Sequence, residues 1–191
     1  MASMLSKPMT ADEFYDFVNR LKNRDRHFEL EDGEVVEEAL PGELHCVVCG
    51  VAAALLVGYT RQVKSGHVCS NNVGLVLSRD PDTVYGPDIA LFSGIVRFKD
   101  LETSWPKRLP KLIVEVLSPN DRQGKMQKRI NKFLEKGVGM AWLLDPEEET
   151  LTIFLPNRQP IVLEGDEEVA GLKALPEFRC KVADFFTVAG E

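Results

Sequence analysis

The chain has 191 residues, of which 44% are hydrophobic and 28% charged, and it carries a formal net charge of −7. This is an ordinary globular composition that supports one sizeable core. Because the longest apolar run, residues 47–57, is interrupted by Cys49 and Gly50 and falls short of about 20 residues, we predict no membrane span. The first residues carry no basic stretch followed by a long apolar one, so we expect no secretory signal and a cytoplasmic protein.

Periodicity and capping residues predict helices and strands in alternation. Thr10 with Glu13 has the capping-box pattern, and Asp32-Gly33 suits a tight hairpin. In chain order we predict a helix at 10–22, strands at 27–30 and 35–39, a helix from 43 that Gly66 ends, one or two strands within 68–77, strands at 89–92 and 112–117, a helix that starts after Ser118-Pro119-Asn120-Asp121 and ends before Gly137, strands at 140–144, 151–155 and 161–163, and a short helix at 181–186.

The order of these elements predicts the fold class and the number of domains. The strand, helix and strand within residues 112–144 suggest a right-handed parallel unit inside a mixed sheet. We therefore expect an α/β (α+β) fold. No linker, repeat or low-complexity tract divides the chain, so we predict a single domain over residues 1–191.

The negative total charge hides a basic central segment. Residues 97–136 carry a net +6, whereas residues 1–96 carry −6 and residues 137–191 carry −7. A total of −7 argues against a nucleic-acid partner, because phosphate binding requires a basic surface. The uneven distribution leaves such a partner open for the central segment.

Two carboxylates occupy positions where a central strand is usually apolar. Glu115 lies inside LIVEVLS, in which both strand faces read as buried, and Asp88 leads directly into an apolar run. A buried carboxylate needs a cation, a hydrogen-bond donor or a proton. If the strands are neighbours, the two carboxylates converge and can bind Mg²⁺. The alternatives are that Asp88 ends a turn after Pro87 and that Glu115 pairs structurally with a lysine.

The helix that follows Glu115 supplies much of the basic segment. On a helical wheel its apolar stripe consists of Met126, Ile130, Phe133 and Leu134, and its cations are Lys125, Lys128, Arg129, Lys132 and Lys136. Arg129 lies about 40° from Phe133 and is the cation nearest the stripe. We therefore expect Arg129 to reach inward toward Glu115. The alternative is a solvated basic face without a partner.

Six features in a fixed order carry a family resemblance. They are ELEDGEVVE (29–37), His45 at the start of a helix, GPDIALF (86–92), LIVEVLSPNDR (112–122), FLEKGV (133–138) and AWLLDPE (141–147). Together they resemble the Uma-two type family, described as restriction endonucleases of the PD-(D/E)XK nuclease superfamily. The resemblance implies a restriction-endonuclease-like central mixed sheet flanked by helices, with a nuclease-like core at about 9–155 and a C-terminal strand and short helix at about 156–191.

The resemblance also assigns site residues. Pro87-Asp88 matches the PD element, Glu115 the (D/E) position, Glu29 an early acidic position, and His45 a histidine at the same helix start. The resemblance implies a site in which Asp88 and Glu115 hold Mg²⁺ or Mn²⁺ and Glu29 completes the ligand shell. His45 is a secondary candidate, and a homodimer is expected by the same resemblance.

The sequence departs from the family pattern at the position of the basic catalytic residue. The lysine two residues beyond the acid is Leu117 here, and the family's helix lysine corresponds to Arg129. Arginine stays protonated and cannot act as a base, although it can orient water or stabilise phosphorane charge. Lys125 and Lys128 are substitutes that face inward less well.

Two functions therefore remain open. The first is a metal-dependent endonuclease that hydrolyses DNA, with Lys125, Lys128 and Arg129 contacting phosphates. The second is a DNA-binding module of the same fold without catalytic activity.

Cysteine spacing offers a separate metal hypothesis. Cys46 and Cys49 have the C-x-x-C spacing, and His67 and Cys69 follow, so four zinc ligands can be drawn from the sequence. The alternative is that Cys46 and Cys49 are small buried thiols in an apolar helix. In a reducing cytoplasm, all four cysteines, including Cys180, are expected to be free thiols.

Overall fold

The computed structural model describes residues 7–119 and 123–188. The α-helices within these residues are α1 (Ala11–Val18), α2 (Glu43–Gln62) and α3 (Gln123–Glu135). The strands are β1 (His27–Glu31), β2 (Glu34–Glu38), β3 (His67–Ser70), β4 (Leu75–Ser78), β5 (Thr83–Tyr85), β6 (Ile89–Phe92), β7 (Leu112–Val116), β8 (Ala141–Asp145), β9 (Thr150–Phe154), β10 (Ile161–Glu164), β11 (Glu168–Val169) and β12 (Cys180–Lys181).

The chain divides into two compact units, each made from two chain segments. Unit 1 contains Met1–Leu40 and Gly74–Gly86, and unit 2 contains Pro41–Val73 and Pro87–Glu191. The division therefore does not coincide with the predicted boundary between residues 9–155 and 156–191. The assignment of a single domain stays a prediction.

Unit 1 is a four-stranded antiparallel sheet with α1. The strand order is β2-β1-β5-β4. Thr10 and Glu13 form the predicted capping box at the start of α1, and the helix ends at Val18, four residues earlier than predicted. Asp32 and Gly33 both have positive φ, 50° and 83°, as the hairpin between β1 and β2 requires. β5 was not predicted, because its three residues directly follow a turn.

Unit 2 contains a six-stranded mixed sheet of order β10-β9-β8-β7-β6-β3. β7 and β8 are parallel and are joined through α3, whereas the other neighbouring pairs are antiparallel. The predicted parallel unit within a mixed sheet is therefore confirmed. All five residues of β7 are buried, including Glu115. The predicted terminal helix is a short 3-10 turn, Val182–Phe185.

α2 runs through the interruption that the sequence prediction placed at Cys49 and Gly50. The prediction that no segment spans a membrane relied on this interruption, and that premise was wrong. α2 is a continuous helix of 20 residues that could cross a membrane by length and composition. Neither residue breaks a helix. Length and composition alone are weak grounds for a span. Val48, Ala52 and Leu56 of α2 are buried in the core that also contains residues of β6 and β7. One face of α2 therefore packs into unit 2, and 28% of its apolar window is buried.

α3 presents the predicted apolar stripe. Met126, Ile130 and Phe133 are buried, and Leu134 is half-buried. Gly137, at φ 107°, follows the helix in the left-handed region, which agrees with the predicted cap. The predicted start signal includes Asn120 and Asp121, which lie outside the described residues.

Candidate active site

Asp88 and Glu115 lie side by side where β6 and β7 pair. The antiparallel register pairs Ile89 with Val114. Asp88, which precedes Ile89, therefore lies opposite Glu115, which follows Val114. Asp88 Oδ2 accepts a 2.8 Å hydrogen bond from the backbone N–H of Val116. This bond fixes the Asp88 carboxylate against β7. The structure thus makes the two strands neighbours, as the sequence prediction required.

Glu115 is held by an ion pair with Arg129. Arg129 Nε donates to Glu115 Oε1 at 2.8 Å, and the side chains are 17% and 4% exposed, respectively. The guanidinium also lies over the Phe133 ring, 5.5 Å from its centroid. A carboxylate this buried requires such a partner. The prediction that Arg129 reaches inward to Glu115 is confirmed.

His45 and Cys49 approach Asp88 from α2. His45 Nε2 lies 3.3 Å from Asp88 Oδ2, and Cys49 Sγ lies 3.5 Å from His45 Nδ1. The two residues are four apart, so they share one face of the helix. Burial raises the pKa of the Cys49 thiol, and the negative charge of Asp88 raises it further. One ligating atom from each of these three residues lies within 4.8 Å of the other two.

Cys49 is a site residue for which the sequence suggested either a different metal group or a small buried thiol. The proposed zinc set joined it to Cys46, His67 and Cys69. In the described part of the chain, the cluster of metal-capable side chains contains none of these three, and Cys46 is exposed. The four-ligand zinc hypothesis is therefore wrong. The signal for the observed group was the i, i+4 spacing of His45 and Cys49.

His67 is half-buried on β3, which pairs with β6. Its ring stacks on Phe92 with centroids 5.1 Å apart. Burial lowers the pKa of His67, and the nearby charge of Arg108 lowers it further. His67 is therefore explained by packing. The four cysteines are free thiols.

Glu29 lies in unit 1, on β1. It is buried and accepts a 2.8 Å hydrogen bond from the backbone N–H of Gly86, also in unit 1. Asp88 and Glu115 belong to unit 2. The role of Glu29 as a further metal ligand stays a prediction.

Lys125 and Lys128 are exposed on α3. Arg129, the next residue, is turned inward to Glu115. Arg129 thus faces Glu115, whereas Lys125 and Lys128 face solvent. Contact of Lys125 and Lys128 with phosphate stays a prediction.

The donor atoms in this region fit a divalent metal ion. Asp88 offers carboxylate oxygen, His45 imidazole nitrogen and Cys49 sulfur within a small volume, and Glu115 adds a second carboxylate on the neighbouring strand. Carboxylate and imidazole are common ligands of divalent metals in proteins. The site can therefore hold a cation next to a fixed guanidinium.

Comparisons with known proteins agree with this architecture. A crystal structure described as a "putative nuclease belonging to DUF820 from Anabaena variabilis ATCC 29413" is similar over 94% of this chain and 98% of its own, with a TM-score of 0.75 and 21% sequence identity. This similarity shows the fold and confirms the predicted restriction-endonuclease-like architecture. No curated protein matches the chain. A family model named Uma2, described as "Putative restriction endonuclease", matches residues 11–183. The chain therefore belongs to the Uma2 family of nuclease-like proteins.

Proposed function

We propose that this protein is a metal-dependent endonuclease that hydrolyses DNA phosphodiester bonds with Mg²⁺ or Mn²⁺. The observation that carries the proposal is the placement of Asp88 and Glu115 on adjacent strands beside an inward-facing arginine. Membership of a family described as restriction endonucleases supports DNA as the substrate.

The chain's own residues divide the work of the proposed reaction. Asp88 and Glu115 would hold the ion, which lowers the pKa of a bound water and neutralises phosphate charge. The hydrogen bond from Val116 N–H keeps the Asp88 carboxylate in one orientation. Arg129 stays protonated, so it can stabilise negative charge on the scissile phosphate but cannot remove a proton. Lys125 and Lys128, exposed on α3, would contact phosphates along the DNA.

A second candidate function is DNA binding without cleavage. It is favoured by Leu117, which replaces the superfamily lysine, and by the commitment of Arg129 to Glu115. Such a module would bind duplex DNA with an affinity that falls steeply as salt is raised. It would show no turnover with any divalent metal.

The test is nicking of supercoiled plasmid DNA with Mg²⁺, with Mn²⁺ and with a chelator. We expect metal-dependent nicking by the parent and a loss of at least about 100-fold in Glu115→Gln, because a carboxylate ligand is removed while the side-chain shape is kept. Glu148→Gln is the matched control, since Glu148 is exposed on the turn after β8. Its nicking rate should equal that of the parent.

Each other result has a defined meaning. Nicking that survives Glu115→Gln contradicts the assigned site. Salt-sensitive DNA binding without nicking selects the second candidate function. Absence of binding even at low salt contradicts both functions.

We also propose that the protein is a cytoplasmic homodimer. Four free thiols are typical of a reducing compartment, and cell fractionation tests the location.

The dimer is supported by β10, an edge strand with exposed Ile161 and Val162. Sedimentation equilibrium tests the dimer.

A further inference from the structure

One feature of the site is not explained by a Mg²⁺-dependent nuclease. Mg²⁺ is bound by oxygen ligands and does not favour sulfur. The described metal-capable side chains that cluster here are nevertheless a thiol, an imidazole and a carboxylate: Cys49, His45 and Asp88. This donor set calls for a different class of ion.

The distances match coordination by a borderline transition metal. Zinc binds sulfur at about 2.3 Å and imidazole nitrogen at about 2.0–2.1 Å, so at a tetrahedral angle these two atoms lie about 3.5 Å apart. The separation of Cys49 Sγ from His45 Nδ1 is 3.5 Å. A metal ion can therefore be placed between these two atoms without a change in the backbone of α2. Asp88 Oδ2 lies 3.3 Å from the other ring nitrogen, Nε2, so one ion reaches all three ligands when the His45 side chain rotates.

The surroundings hold these ligands in place. His45 and Cys49 lie on one face of the same helix, α2. Asp88 is fixed by the Val116 N–H at 2.8 Å, and its side chain is 15% exposed, against 11% for His45. The side chains are thus largely shielded yet still reached by solvent, as binding of an ion from solution requires.

We infer that His45, Cys49 and Asp88 form a mixed imidazole, thiolate and carboxylate site for a thiophilic divalent ion of the zinc class. On binding, the Cys49 Sγ–H bond breaks, a metal–sulfur bond forms and one proton is released to solvent. The inference rests on the proposed function only through Asp88, which it shares with the proposed Mg²⁺ site. An ion bound here would compete with Mg²⁺ for that carboxylate.

The test uses Co²⁺ as a spectroscopic probe added to the metal-free full chain under reducing conditions. We expect a near-ultraviolet sulfur-to-cobalt charge-transfer band, together with intense visible bands of four-coordinate cobalt. One equivalent of Zn²⁺ should remove the bands, and a large excess of Mg²⁺ should not. Absence of the charge-transfer band in the parent overturns the inference.

Two cysteine variants locate the sulfur ligand. Cys49→Ser should lose the charge-transfer band and bind Co²⁺ at least about tenfold more weakly. Cys46→Ser is the matched control: Cys46 is in the same helix, three residues away, and exposed. It should keep the band. A band that persists in Cys49→Ser, or that disappears in Cys46→Ser, contradicts the assignment.

A measurement on the parent alone guards against misfolding of the variants. X-ray absorption of the Zn²⁺-loaded chain should show one sulfur at about 2.3 Å beside nitrogen and oxygen ligands. A shell of nitrogen and oxygen only would overturn the inference.

The two proposals can fail separately. Cobalt binding is measured without DNA, so a protein that does not nick plasmid can still give the charge-transfer band. Glu115→Gln, expected to abolish nicking, should keep the band because Glu115 is not a member of the proposed group. Loss of the band in Glu115→Gln would contradict the separation of the two ligand sets.

Discussion

Asp82 is a single residue that joins three parts of unit 1. Its Oδ2 accepts hydrogen bonds from the Ala11 backbone N–H at 2.7 Å and from Arg79 Nη1 at 2.9 Å, and its Oδ1 accepts one from the Asp80 N–H at 3.0 Å. Burial by itself would raise the pKa of Asp82, but these hydrogen bonds outweigh burial and hold the pKa below its ordinary value. The carboxylate therefore stabilises the start of α1 and the turn before β5 in its charged form.

The lowered pKa predicts how Asp82 contributes to stability as pH changes. Its contribution should be fully present above the unfolded pKa of about 3.9 and lost as pH falls through the lower folded value. Asp82→Asn should reduce the free energy of unfolding by about 1–3 kcal/mol at pH 7, and the difference from the parent should shrink below about pH 4. Urea unfolding at pH 7 and pH 3 measures both.

The control is Asp12→Asn. Asp12 also contacts Arg79, at 3.4 Å, but is almost fully exposed, so its substitution should leave stability unchanged at both pH values. An equal loss for Asp82→Asn at pH 7 and pH 3 would contradict the role of its charge.

At the scale of single elements, the two faces of α3 have different roles. Its apolar stripe packs into unit 2 and brings Arg129 to Glu115, while Lys125 and Lys128 stay in solvent. The solvent-facing lysines are free to meet phosphate without disturbing the buried ion pair. Stability and DNA affinity should therefore respond to different residues of the same helix.

The double variant Lys125→Ala, Lys128→Ala tests this division. We expect weaker DNA binding for all sequences and a shallower slope of log K against log salt, by about 2, because each phosphate contact contributes about 1. Filter binding or fluorescence anisotropy over a salt series gives the slope. Lys173→Ala, another exposed lysine of unit 2, is the control. An unchanged slope in the double variant would remove α3 from the proposed DNA surface.

The elements also show which features could be predicted from the sequence. β7, α3 and β8 follow from local patterns, namely an apolar run, a helical stripe and a second apolar run, so Asp88, Glu115 and Arg129 could be placed together. Short β-strands were missed, because β11 and β12 have two residues each and no periodicity. The position of Cys49 beside Asp88 could not be predicted, because the two residues are 39 positions apart and their proximity depends on how α2 packs on the sheet.

For the whole molecule, the net charge of −7 is unevenly distributed along the chain. The basic segment 97–136 carries +6, but several of its cations pair with carboxylates of the same segment. The pairs are Arg97 with Asp100, Lys107 with Glu102, and Arg129 with Glu115. Lys125 and Lys128 lie exposed on α3. Because the +6 already subtracts these three carboxylates, the pairing leaves the net charge of the segment unchanged. The protein as a whole is negative, so low salt is the condition in which binding should be sought.

The edge of the six-stranded sheet bears on the oligomeric state. β10 lies at one edge, and its Ile161 and Val162 are 45% and 60% exposed. An exposed apolar edge strand is a template for pairing with another chain. Antiparallel pairing of β10 with β10 of a second copy has two-fold symmetry and closes as a dimer without further growth.

Sedimentation equilibrium should therefore give about twice the chain mass of 21.4 kDa for the parent. Val162→Lys should shift the mass to that of one chain, because it sets two ammonium groups close together across the symmetry axis. Leu21→Lys introduces the same charge at an 81% exposed leucine of unit 1 and should leave the dimer intact. A parent that sediments as one chain at micromolar concentration contradicts the dimer, and a dimer that survives Val162→Lys places the interface elsewhere than β10.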